Sequence, residues 1–182
     1  MNSEYFEKIQ NLHNAITREY SDIISLWFTD CFLTWQWWLS LALFVIPWVL
    51  WIKFRKKEST GRLLFAALII IVISTHLDTI GVLLGIWSYN IDIILIFPCL
   101  VIFDLSLLPV ATMFFLQYKP NFNPFIKAVI YSGIASFIFQ PLFTWLRFYN
   151  PQYWRHYYSF PIFILLYLLA HFSINRGGFN KV

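Results

Sequence analysis

The chain has 182 residues, of which 59% are hydrophobic, 21% aromatic and only 12% charged. An average soluble domain carries about 25% charged residues, so this composition excludes a soluble globular fold and points to a polytopic membrane protein. The net charge of +4 is held in short clusters beside apolar runs, where Lys and Arg orient a membrane protein; it does not imply nucleic-acid binding.

Residues 1–31 are amphipathic. Tyr5, Phe6, Ile9, Leu12, Ile16, Tyr20, Ile23 and Trp27 recur at helical spacing, with Glu4, Glu7, Lys8, Arg18, Glu19 and Asp22 between them. This predicts a helix that lies on the membrane or caps the bundle. Its acidic face makes apolar burial, not attraction to anionic lipid, the force that holds it.

Five apolar runs follow, at about Phe32–Ile52, Leu63–Trp87, Ile93–Leu116, Pro124–Leu146 and Tyr157–Ile174. Each supplies roughly the 17–25 residues that cross a ~30 Å hydrocarbon core, where the backbone must satisfy its own hydrogen bonds. The expected fold is therefore all-α: a five-span bundle over residues 32–176, preceded by the amphipathic segment 1–31 and followed by a short tail, 177–182, whose Gly-Gly pair reads as flexible. Pro47, Pro98, Pro109 and Pro141 interrupt the runs and predict bends.

With five spans, Lys53, Arg55, Lys56, Lys57, Arg62, Lys119, Lys127, Arg176 and Lys181 share one side, and Lys8, Arg18, Arg147 and Arg155 the other. The positive-inside rule then places the N-terminus outside and the C-terminus in the cytoplasm of a cell-membrane protein. Trp35, Trp37, Trp38, Trp87, Tyr89, Tyr149, Tyr153 and Trp154 fall at the outer ends and read as an interfacial belt. Cys31 and Cys99 read as small apolar residues. The start of the chain lacks the basic and apolar blocks of a signal peptide.

Ionisable residues inside spans carry the functional argument, since each costs at least about 2.5–3.5 kcal/mol to insert. Asp78 shares a helix face with Ser74, Gly81 and Gly85, so its carboxyl points into the bundle, along a face of small residues where another helix approaches closely. Counting from the connection near Tyr89–Asp92 puts Asp104 within roughly 5 Å of the same depth. Two carboxyls at one level, on consecutive spans, share a proton if they face each other, and would form a proton site, a cation site or a general acid. Gln140, beside Pro141, reaches toward the same space. His76 faces elsewhere on its helix and reads as an interhelical hydrogen bond or a further site residue, and His171 as a satisfied interfacial histidine. The candidate binding residues are thus Asp78, Asp104, Gln140 and His76, with Asp78, Asp104 and His76 also the candidates for catalysis. No catalytic motif is present, and no metal or cofactor is expected.

The segment HLDTIGVLLGIWSY, followed by FPCLVIFDLSLLP, resembles a family of uncharacterised small multi-span proteins of spore-forming Bacillus-type bacteria. More distantly, it resembles the lycopene cyclase membrane domain. In that domain an Asp and a Gly-x-Trp-x-Tyr/Phe element end one span and an acidic Pro-Glu-Glu-type element opens the next. Asp78, Gly85, Trp87 and Tyr89 match the first element and Pro98 the second, while Cys99 and Leu100 stand in place of the acids. The resemblance implies an isoprenoid substrate and acid catalysis, with Asp78 or Asp104 as the proton donor.

Three functions remain open. The first is a binding or assembly component, partnered by lipid and by another protein or a second copy. The second is a small transporter or channel for a proton, cation or solute past Asp78 and Asp104. The third is an enzyme on an isoprenoid or lipid.

Overall fold

The computed structural model describes residues 3–94 and 98–176; the 177–182 tail, with its expected flexible glycines, lies outside them. Helix α1 (Ser3–Leu26) buries none of its residues and packs extensively on no other helix, so it does not cap the bundle. Its apolar stripe, including Phe6, Leu12 and Ile16, stays exposed. A π turn (Trp27–Cys31) then brings Trp27 into the bundle surface.

Four helices are long and apolar enough to cross a membrane. Helix α2 (Trp35–Phe54) starts on Thr34, whose hydroxyl accepts from the Trp37 amide, and contains Pro47. A short basic turn leads into α3 (Thr60–Leu83). Helix α5 (Pro124–Ile134) continues through a π turn (Ala135–Phe139) into α6 (Gln140–Trp145), forming one span over Pro124–Trp145. Asn123 caps its start, accepting from the amides of Phe125 and Ile126. Helix α7 (His156–Arg176) closes the bundle against α5 and α3.

The expected third span, Ile93–Leu116, requires correction. The chain leaves α3 at Leu83, turns at Gly85, which adopts φ +66°, and forms a short strand, β1 (Trp87–Tyr89). This pairs antiparallel with β2 (Tyr149–Pro151), Tyr89 opposite Tyr149. The described residues between Tyr89 and Val101 are not helical. Regular helix resumes as a π turn (Phe103–Leu107) and α4 (Leu108–Gln117), a shorter apolar stretch than the other four.

Irregular backbone survives in such a place only when protein groups satisfy it, and here they do. The Trp27 and Trp37 indoles donate to the carbonyls of Asp92 (2.9 Å) and Ile93 (3.2 Å). The Asp92 carboxylate accepts from the amides of Ile93 and Val101, each at 2.6 Å.

Two of the three described π turns, Phe103–Leu107 and Ala135–Phe139, are followed closely by a proline, Pro109 and Pro141. A proline removes one backbone donor and crowds the preceding turn, and a wider turn relieves both. The freed Leu105 carbonyl takes the Trp48 indole at 3.0 Å, and the Ser106 hydroxyl donates to Phe44 O at 2.8 Å, which docks α2 on this turn.

The bundle has a basic end and an aromatic end. At the basic end the buried Lys127 ammonium donates to the carbonyls of Phe115 (2.8 Å) and Tyr118 (2.5 Å), a cationic cap on the C-terminus of α4. Arg62 donates to Asn175 Oδ1 at 2.8 Å, tying α3 to α7. The core between them holds Leu63, Ile70, Met113 and Tyr167, all fully buried.

Candidate functional site

Asp78 lies about a turn and a half from the end of α3, and Asp104 in the π turn that opens the next helix. The structure brings their carboxyls into hydrogen-bond contact with each other. Asp78 Oδ2 also accepts from the Tyr89 hydroxyl at 2.5 Å and from the Leu100 amide at 3.3 Å. The Leu100 amide sits at the N-terminus of the α4 segment, where the helix dipole favours a negative charge. Asp104 is 1% exposed and within reach of the Ser74 hydroxyl, while its Oδ2 meets no N–H or hydroxyl donor. Two carboxyls can hydrogen-bond only with a proton between them. Of the two, Asp78 has the donors that favour charge, while Asp104 Oδ2 is left as an unpaired acceptor.

These groups border a cavity of about 220 Å³ between α3, the start of the α4 segment, α6 and α7. Its walls are mostly apolar and aromatic. Trp87 and Trp154 meet edge to face at 5.0 Å, and Tyr89 and Tyr149 lie 5.8 Å apart. Gln140 lines the same space and donates to Ser159 Oγ at 2.9 Å, which also accepts from the Trp154 indole at 2.8 Å. Gln140 Oε1 and Trp87 Nε1 are buried without a partner. Leu77 and Ile80, exposed on the outer face of α3, belong to the lining, so the mouth opens on the apolar outer face of that helix.

Three of the four residues singled out from sequence, Asp78, Asp104 and Gln140, thus border one cavity. His76 does not. It is exposed and its Nδ1 contacts Val72 O of its own helix at 2.6 Å. The expected interhelical bond is therefore corrected to an intrahelical one, because two residues along from Asp78 the helix faces away from the bundle. His171 contacts Asn175 at 3.1 Å. Gly85 is displaced from the small-residue face, since α3 ends before it.

Four residues that pattern reading placed in the interfacial belt line the cavity: Trp87, Tyr89, Tyr149 and Trp154. The signal for the first two was the Trp-x-Tyr alternation of β1, which puts both side chains on one face of a strand. Asp92 was missed altogether. It is 0% exposed and accepts from the amides of Ile93, Val101 and Ile102. Burial pushes its carboxyl up to about 7 against the pull of those donors. Among the described residues no cluster of three His, Cys, Asp or Glu could hold a metal ion.

Gly81 fixes the wall. A β-carbon there would overlap the Trp87 ring. Gly81→Ala is therefore expected to displace β1 and destabilise the protein by about 1–3 kcal/mol, read as a lowered midpoint of thermal unfolding in detergent.

Comparison with family models, with curated proteins and with solved structures finds no match to this chain.

Proposed function

We propose that this chain is a cell-membrane binding protein whose cavity takes the head of a cationic amphiphile, with the tail left in the bilayer. The observation that carries this reading is the carboxyl pair at an aromatic-walled, lipid-facing cavity. Its free polar atoms are mainly acceptors, Asp104 Oδ2 and Gln140 Oε1, with one donor, Trp87 Nε1. A head that donates hydrogen bonds matches the acceptors. A positive charge is favoured both by the carboxylate and by the faces of Trp and Tyr rings, worth about 0.5–2 kcal/mol each. A volume of about 220 Å³ exceeds the ~150 Å³ that holds a benzene and falls below the ~300–1,000 Å³ of a drug-sized site. It fits a head and a few carbons. The nine basic residues of the one side against four of the other support placing the cavity in the outer leaflet, with the N-terminus outside.

The test is a titration of the protein in nanodiscs with dodecylammonium, dodecanol and dodecyl sulfate, followed by tryptophan fluorescence, with the Asp78→Asn/Asp104→Asn protein correcting for partition into lipid. The ammonium is expected to bind tightest and the sulfate not at all. Equal binding of all three, or sulfate binding as tightly as the ammonium, sinks the proposal.

One observation favours a second reading. The 2.5 Å bond from Tyr89 to Asp78 joins two residues of the element that resembles the cyclase domain, and the pair would protonate an apolar isoprenoid. Lipid extracts that are identical with and without the protein would exclude this.

A further inference from the structure

The bundle leaves the apolar side of α1 uncovered. None of the residues of Ser3–Leu26 is buried, and the helix touches the rest of the molecule chiefly through the π turn that follows it. Phe6, Ile9, Leu12, Ile16 and Ile23 are between 36% and 61% exposed. At about 100° per residue they fall within an arc of about 120°. Glu4, Glu7, Arg18 and Asp22 take the opposite side, and Lys8 and Glu19 lie along one border of the stripe. An apolar stripe this continuous marks an interaction face.

A second copy of the helix and a bilayer surface are the two occupants to weigh, and Glu19 decides between them. Ile9, Ile16 and Ile23 recur every seven residues, as one seam position of a coiled coil does, and Tyr5, Leu12, Glu19 and Leu26 then hold the other. Pairing with a second copy, in either direction, would bury the Glu19 carboxylate among isoleucine and leucine side chains, where desolvation opposes it. On a bilayer the same carboxylate stays at the border of the stripe, in headgroup water. The end of α1 is also already at the right depth. Ring contacts run from Trp27 to Phe32 at 5.4 Å, from Phe32 to Trp37 at 5.0 Å and from Trp37 to Trp38 at 4.9 Å, reaching the start of α2. Trp rings collect at headgroup level at the ends of spans, so α1 meets the bilayer surface without the association cost that a separate partner imposes.

Charge narrows the lipid. The polar side of α1 carries four acids against two cations, Lys8 and Arg18, and Lys8 is bridged to Glu4 at 2.7 Å. Helices that anionic lipid holds in place show the reverse, a polar face rich in Lys and Arg. We propose that α1 docks on a zwitterionic phospholipid surface at the aromatic end of the bundle, its apolar stripe at the boundary of the acyl region and its acidic side in water, and that anionic lipid repels it. Docking then depends on the charge of that leaflet: a negative surface potential acts against the acids of α1, and salt screens the repulsion. This stands apart from the cavity and does not depend on what the cavity binds.

The experiment places nitroxide labels on α1 of the full chain, by Leu12→Cys or Ile16→Cys on the stripe and Asn14→Cys or Arg18→Cys opposite it, in a Cys31→Ala/Cys99→Ala background. An unchanged thermal midpoint in detergent shows that each labelled bundle is folded. In phosphatidylcholine vesicles with the protein dilute, labels at 12 and 16 are expected to be relaxed by oxygen and shielded from a water-soluble nickel chelate, and labels at 14 and 18 the reverse. With a third of the lipid replaced by phosphatidylglycerol at low salt, nickel access at 12 is expected to rise about twofold or more, and to fall again in high salt. Glu7→Gln/Asp22→Asn is expected to blunt that rise. Equal nickel access on both sides in phosphatidylcholine overturns the docking. Labels at 12 and 16 shielded from both reagents and coupled to those of another copy would identify a second chain as the occupant. Nickel access at 12 that is unchanged or lowered by phosphatidylglycerol overturns the choice of lipid.

Discussion

Asp78→Asn is expected to weaken dodecylammonium binding by about 30- to 150-fold, which is 2–3 kcal/mol, while Asp104→Asn changes it several-fold less. The asymmetry follows from the donors. Asp78 Oδ2 faces the Tyr89 hydroxyl and the Leu100 amide at a helix N-terminus, so Asp78 is the member of the pair that carries negative charge. Its replacement by a neutral amide removes the charge the ligand pairs with. Asp104 contributes an acid proton toward Asp78 and an oxygen that meets no donor. An asparagine there keeps a donor toward Asp78 in its NH₂ group and leaves that carboxylate in place. Nanodisc titrations of the two single variants check this. Equal losses would mean the charge is not localised on Asp78, and no loss in either would mean the ligand does not use the pair.

How much of this was legible in the sequence depends on which force set each part. Apolar length alone defined four spans, with ends within a few residues of those observed: α2 over Trp35–Phe54 against Phe32–Ile52, and α7 over His156–Arg176 against Tyr157–Ile174. The third run was apolar enough to be read as another full span, and hydropathy cannot tell a helix from an extended chain wrapped in protein. What decides between them is whether backbone groups find distant partners. Those partners, Trp27 and Trp37, lie 65 and 56 residues away from the carbonyls they satisfy. The pairing of Asp78 with Asp104 was approached through equal depth in two vertical helices, whereas the contact arises because a non-helical segment hands Asp104 into the bundle just past Leu100. Prolines carried more information than a bend: Pro109 and Pro141 each follow a π turn, and the first of these turns holds Asp104 itself. The aromatic residues at the outer ends had an adequate interfacial explanation, which hid their role as cavity walls.

The same reasoning singles out Asp92→Ala as the substitution with the largest structural effect. The carboxylate is fully buried and holds three amides, those of Ile93, Val101 and Ile102. Two of these belong to the first turn of the segment leading into α4, so one side chain both shapes the connection and caps a helix that would otherwise begin with orphaned donors. Alanine leaves those amides without a partner in a place that water reaches poorly, at about 1–3 kcal/mol for each group left unsatisfied. The expected loss is therefore roughly 3–6 kcal/mol, a large share of the 5–15 kcal/mol that stabilises a typical domain. Asp92→Asn retains one acceptor oxygen but turns an NH₂ group toward an amide, and is expected to fall between alanine and the parent. Unfolding in mixed micelles gives the size of the loss. Amide hydrogen exchange gives its location: Val101 and Ile93 should lose protection first, followed by Leu100, whose amide reaches Asp78. Uniform loss of protection across α2, α5 and α7, with the connection no worse than the rest, would show that Asp92 does not organise the segment that delivers Asp104 to the cavity.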